Sequence, residues 1–232
     1  MAKRPVYIVE TEGKSLVTTR MLEFEWFPGF SISQKQKSIR SLHNAVKACY
    51  PNIKTLEIST KSEFSLGVKL SAFNLMVLNS SNQPISSVEC LFQSSKVFES
   101  PDGKILQFHD LLKVPSQEAK KDPRLKNSGR LIAFHPKGKE KWELEPLTAY
   151  YDWIYVNTLK QHEEYHKELQ LYSAFTDIEF NPKKSINCQA YSVALFCSLF
   201  RRGCLNSVLH SKKKFLTIYR DFKVNNAKSS LL

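Results

Sequence analysis

The chain has 232 residues, with 34 Lys and Arg against 22 Asp and Glu, giving a formal charge of +12. Its apolar share of 42% and aromatic share of 12% exclude a disordered or fibrous chain and leave ample core for one large domain, or one with a small extension. No run approaches the roughly 18 apolar residues of a membrane span, and Val6–Val9 is too short for a signal peptide.

Pro5–Glu10 and Leu22–Phe27 cluster β-formers and predict two strands, with Pro28-Gly29 as a turn signal. Ile39, Leu42, Val46 and Cys49 recur at spacings of three and four, so residues 34–49 predict an amphipathic helix stopped by Pro51. Leu56–Ile58 reads as a third strand. Leu75–Leu78 is a short apolar run followed by a polar turn over Asn79–Pro84. Val88–Phe98 predicts a helix with Val88, Leu91, Phe92, Ser95 and Phe98 inward. Residues 100–146 are rich in Pro, Gly and Lys, with short helical pieces near 106–113 and 116–121. Residues 147–171 carry the longest helical pattern. Residues 182–202 predict a second strong helix, with Asn181-Pro182 as its start and Arg201-Arg202-Gly203 as its end. The tail 225–232 reads as frayed.

The charge is uneven. Residues 1–66 sum to +4, residues 67–179 to −1 and residues 180–232 to +9. A basic C-terminal stretch predicts a polyanionic partner, with a solvated tail as the plain alternative. Cys49, Cys90, Cys188, Cys197 and Cys204 are odd in number and form no CxxC pair, which fits a reduced, cytoplasmic protein.

Three segments could carry chemistry. His162-Glu163-Glu164-Tyr165-His166 matches the HExxH zinc helix, but its Lys- and Gln-rich flanks suit a solvent-facing helix end and no third ligand follows at a usual spacing. Glu89, Gln93 and Lys96 fall at i, i+4 and i+7, on one face of the predicted helix. They either line a polar pocket or form a solvated stripe. Asp177 and Glu179 share a side if their stretch is extended. Lys183, Lys184 and Asn187 follow at the predicted helix start, a suitable place for an anion.

These segments resemble the NADAR (YbiA-like) superfamily of N-glycosidases. Ser71-Ala72-Phe73 stands for the family's Ser-Asn-Phe element, and Glu89-Cys90-Leu91-Phe92-Gln93-Ser94-Ser95-Lys96 for its Glu-His-x-Phe-Gln-x-x-Lys helix. Ser116–Lys121 is similar to the middle Ala-basic segment, and Asp177–Asn187 to the acidic element followed by an Asn-bearing helix. The resemblance spans about residues 67–202. Ala72, Cys90 and Thr176-Asp177-Ile178-Glu179 depart from the usual Asn, His and Trp-Gly-Asp-Gly.

The resemblance implies an α+β fold, a mainly helical YbiA-like core with a small N-terminal strand/helix extension. The implied division is 1–66 as extension, 67–210 as catalytic domain and 211–232 as basic segment. It implies hydrolysis of a ribose–base N-glycosidic bond, as in antitoxins that remove ADP-ribose from guanine in DNA. The partners would be an ADP-ribosylated nucleic acid or nucleotide and a cognate ADP-ribosyltransferase toxin, with no membrane, metal or other cofactor. Glu89 would be the central carboxylate, with Asp177 second and Glu179 its alternate. Gln93 and Asn187 would hold ribose hydroxyls and Lys96 and Lys184 phosphates, with Ser71 and Phe73 lining the substrate pocket. The alternatives are a small-molecule N-glycosidase of riboflavin-pathway or ADP-ribose-type metabolites, and a non-catalytic nucleic-acid-binding module. The latter would use Phe215, Tyr219, Arg220, Phe222 and Lys223.

Overall fold

A computed structural model describes residues 1–183 and 185–221. Lys184 and residues 222–232, including Phe222, Lys223 and the tail read as frayed, lie outside the described residues. The chain begins with β1 (Ala2–Val9), β2 (Val17–Phe24), α1 (Ile32–Cys49), β3 (Thr55–Glu57) and α2 (Ser65–Lys69). Next come β4 (Met76–Leu78), β5 (Pro84–Ser87), α3 (Val88–Ser94), β6 (Lys96–Glu99), β7 (Ile105–Gln107), α4 (Ser116–Lys121), α5 (Arg124–Asn127), β8 (Arg130–Phe134) and α6 (Ala149–Gln161). It closes with α7 (Glu163–Leu169), β9 (Ala174–Thr176), α8 (Gln189–Arg201) and three short helices, α9 (Leu205–Val208), α10 (Lys212–Leu216) and α11 (Ile218–Asp221). The mixture agrees with α+β, with strands sharing the framework with helices. No helix among the described residues is long and apolar enough to cross a membrane.

Residues 1–71 and those from 162 onward form one compact unit, and residues 72–161 form another. In the first, one sheet runs β2-β1-β9-β3, antiparallel except for the parallel pair β3 and β9. The strands before residue 66 therefore share a sheet with Ala174–Thr176. Side chains alternate faces along a strand. Val6 joins Ile39, Leu42 and Val46 of α1, while its neighbour Tyr7 meets Tyr191 of α8 edge-on at 5.6 Å. Helices α1 and α8 thus cover opposite faces. Cys49, at the end of the predicted apolar stripe, is exposed.

Two arginines at the end of α8 act as staples. Arg202 donates to the carbonyls of Glu10, Glu12, Gly13 and Ser15 in the loop joining β1 to β2. Arg201 donates to the carbonyls of Gln170 and Tyr172, to the Gln170 amide oxygen and to the Ser173 hydroxyl. In α2, a Cβ on Gly67 would overlap the Glu57 carbonyl and the Ser62 hydroxyl. Gly67→Ala should therefore cost about 2–3 kcal/mol, read as a lowered thermal midpoint.

In the second unit, β4 and β5 form a hairpin and β7-β6-β8 a three-stranded sheet. Gln161, ending α6, both donates to and accepts from the Leu78 backbone, as a neighbouring strand would. Phe92, Phe134, Tyr150, Tyr151, Trp142 and Trp153 form a chain of ring contacts with centroids 4.8–6.3 Å apart. This packing fixes the outer side of α3.

Three predicted helices need correction. The one over Val88–Phe98 ends at Ser94, where the Ser95 amide and hydroxyl both turn back to the Leu91 carbonyl. Val97 and Phe98 then pair with β7 and β8, so sheet pairing overrides the helical spacing. The pattern over 147–171 is broken at His162 into α6 and α7. The helix expected from Asn181-Pro182 begins instead at Gln189. Asn181 folds a local turn, accepting from Lys183 N on its side chain and from Ser185 N on its carbonyl.

Candidate functional site

The unit of residues 72–161 gathers a polar cluster around α3. Ser87 caps the helix by accepting from Cys90 N, and the Ser116 hydroxyl donates to the Phe73 carbonyl while accepting from the Ser87 hydroxyl. One helical turn then places Gln93 above Glu89, and the Gln93 amide donates to Glu89 Oε1 at 2.8 Å. Glu89 is 5% exposed and Gln93 7%. A carboxylate only accepts, so the amide must turn its NH2 toward Glu89. That leaves Gln93 Oε1 buried, with no hydrogen-bond partner among the described residues.

Lys96 lies beyond the helix end yet stays with this group. Its ammonium sits 5.0 Å from the Phe92 ring centroid. Burial pushes the Lys96 pKa down, the Glu89 charge opposes that shift, and the Lys120 charge adds to it. Lys120, from α4, rests 5.1 Å from the Phe73 ring centroid. The predicted trio Glu89, Gln93 and Lys96 is thus held together with Phe73, and Lys120 is an addition that local spacing could not reveal. Cys90 packs away from the cluster with Leu111 and Ala119, its thiol donating to the Val114 carbonyl.

The unit of residues 1–71 and 162–221 places the acidic segment. Asp177 is 6% exposed and follows β9 directly. Its Oδ1 accepts from the amides of Glu179 and Phe180, and its Oδ2 from Gln189 Nε2 at 2.9 Å. The Ser71 hydroxyl donates to Gln189 Oε1 at 3.5 Å. Asp177 and Glu179 do not share an extended face, because the chain turns between them. Glu179 is exposed and pairs with Lys35 at 3.0 Å. Asn187 precedes α8 rather than lying within it, and its Oδ1 is buried with no hydrogen-bond partner among the described residues.

Sequence reading missed a buried acid in this unit. Glu57, 1% exposed, accepts from Thr176 Oγ1 at 2.6 Å and from Ile178 N at 2.8 Å. The single Thr176 proton goes to Glu57, so the 2.9 Å contact between His43 Nε2 and Thr176 Oγ1 requires His43 to donate. Burial pushes the Glu57 carboxyl up and the His43 imidazole down to about 4. Burial also pushes the Tyr7 hydroxyl and the Cys188 thiol well up, which favours their neutral forms.

Among the described residues no group of three His, Cys, Asp or Glu side chains could hold a metal ion. In the HExxH segment, His162 meets Glu164 at 2.8 Å and stacks on Tyr165, while His166 packs on Phe196 and Phe200. The two rings therefore face different neighbours. Phe215, expected as a base-stacking group in one alternative, is fully buried, with Tyr219 against it.

Chemically, the Glu89 cluster pairs one buried carboxylate with two ammonium groups and an unused amide acceptor. A carboxylate so placed can stabilise positive charge developing at a sugar carbon or take a proton from water, and the cations can meet an anionic group. A family model described as DarT1-associated NADAR antitoxin matches residues 2–229, which takes in the N-terminal strands as well as the motif-bearing middle. No curated protein matches the chain.

Proposed function

The chain belongs to the DarT1-associated NADAR antitoxin family, and from that premise we propose that it is an N-glycosidase that strips ADP-ribose from guanine in DNA. The observation that carries this reading is the buried Glu89, held by Gln93 and accompanied by Lys96 and Lys120. In the proposed reaction the bond between ribose C1 and the base nitrogen breaks, and its electrons go to the base. Glu89 stabilises the oxocarbenium-like centre and accepts a proton from the attacking water. The water oxygen bonds to C1, the proton taken up by Glu89 passes on to the base nitrogen, and free ADP-ribose leaves. Lys96 and Lys120 meet the diphosphate as point charges. Asp177 and Gln189 hold the chain after β9, and we assign them no reacting role. The exposed Lys213 and Lys214 supply contacts to the DNA backbone. The proposed partner is the DarT1-type toxin whose transfer this hydrolysis would reverse.

The test is to incubate the purified chain with DNA carrying ADP-ribosyl guanine and to follow free ADP-ribose together with restored unmodified DNA. Release of both supports the reading. DNA that keeps its modification over many hours at equimolar protein overturns it.

A further inference from the structure

Helix α1 carries Lys35, Lys37, Arg40 and Lys47 and no Asp or Glu in its 18 residues. Ser38, Ile39, Leu42 and Val46 are buried on its inner side. Ser33, Lys37, Arg40, Asn44 and Lys47 are exposed, and their spacings of four, three, four and three set them on one outer stripe. At a rise of about 1.5 Å per residue, Lys37 and Lys47 stand about 15 Å apart, enough to follow several phosphates of a strand. Lys35 is separate from this stripe, paired with Glu179 and lying 5.0 Å from the Trp26 ring centroid. Arg40 meets Glu63 at 3.2 Å, a solvated pair into which a phosphate can exchange. A solvated helix face gains from mixed signs, because opposite charges at i and i+4 attract and like charges repel. The helix dipole accounts for Lys47 in the last turn. Lys37 and Arg40, three residues apart, repel each other with no acid on the helix to offset them. A second feature stands at the start of the same helix. Phe30, just before the capping Ser31, is 100% exposed, and Ile32 is 56% exposed. The Phe30 ring therefore contributes no burial to the fold.

We propose that α1 is a docking surface for single-stranded nucleic acid, with phosphates along Lys37, Arg40 and Lys47 and an unstacked base on the Phe30 ring. A row of cations without acids selects a polyanion, and an uncovered ring at the end of that row selects one that carries planar bases. Arg201 and Arg202 are held by backbone carbonyls and do not serve this role. The charge offered to a strand therefore comes from α1 as well as from the C-terminal lysines. This surface is independent of the glycosidase reading, since an unmodified strand suffices to occupy it.

The test titrates the full chain into a labelled, unmodified oligothymidylate of about 12 nucleotides and reads fluorescence anisotropy over a range of salt concentrations. Lys37→Gln, Arg40→Gln and Lys47→Gln combined should weaken binding at least about tenfold at low salt and make the slope of log affinity against log salt shallower by about 2. Phe30→Ser should weaken binding about tenfold at every salt concentration and leave the slope unchanged. All four positions are exposed, so the thermal midpoints should match that of the natural chain. No binding at low salt, or either variant binding like the natural chain, overturns the proposal. So does a polyglutamate of equal length that binds as tightly as the oligonucleotide, since the partner would then be an acidic protein. Because turnover is not read, a chain that fails here keeps the glycosidase reading, and one that binds the strand but releases no ADP-ribose keeps this surface.

Discussion

Glu89→Gln should lower single-turnover release of ADP-ribose from modified DNA by about a thousandfold. General-base and electrostatic contributions of a placed carboxylate are each of order 10² to 10³ or more. The substitution is nearly isosteric, and its amide oxygen can still accept from Gln93, so the thermal midpoint should stay close to that of the natural chain. It also removes the charge that offsets the burial of Lys96. The Lys96 ammonium should then lose its proton at lower pH, weakening phosphate binding on the alkaline side. Full activity in Glu89→Gln would remove Glu89 from the chemistry.

The second large effect is on stability, and its sign follows from His43. The ring is held near a pKa of about 4 by burial, against 6.5 for an ordinary histidine. Between those values the unfolded chain binds a proton that the folded chain refuses, so stability falls as pH drops from 6.5 toward 4. The stabilising contribution is complete above pH 6.5 and gone below about 4. A shift of 2.5 units corresponds to at most about 3 kcal/mol. Glu57 works in the opposite sense. Its raised pKa means that the folded chain takes up a proton first, which recovers stability as pH falls through the folded value. Denaturant unfolding of the natural chain and of His43→Gln at pH 7.0, 5.5 and 4.5 separates the two. The variant should lose markedly less stability across this window, and parallel curves would refute the assignment.

The sequence made one part of the candidate site legible for a plain reason. Glu89 and Gln93 lie within a single helical turn, and the i to i+4 relation survives whatever happens further along. Lys96 was placed with them for a reason that does not hold, since the helix stops at Ser94. It joins them because its stem runs back over the Phe92 ring, a contact no periodicity encodes. Lys120 arrives from α4, and only tertiary packing puts it beside Lys96. The start of α8 was misread because Asn followed by Pro signals a free-standing turn as well as a helix start. No apolar anchor decides between them there, as Ile186 is 39% exposed. Glu57 was invisible because β3 has three residues, too few for an alternation to mark an acid as inward.

To a protease that cuts after basic residues, Arg201-Arg202 is an inviting pair in the linear sequence. In the folded chain both guanidinium groups are clasped by backbone carbonyls, and the bond between them lies at the close of α8. Cleavage there must wait for the helix end and the β1–β2 loop to come apart together, so it reports on opening of the sheet unit rather than on accessibility. Lys213 and Lys214 in short α10 are exposed, and limited trypsin digestion should cut there first. Of the charges that looked like a bid for a polyanion, Arg202 is in this sense a lock on the N-terminal hairpin and Arg201 a lock on the segment that leads into β9.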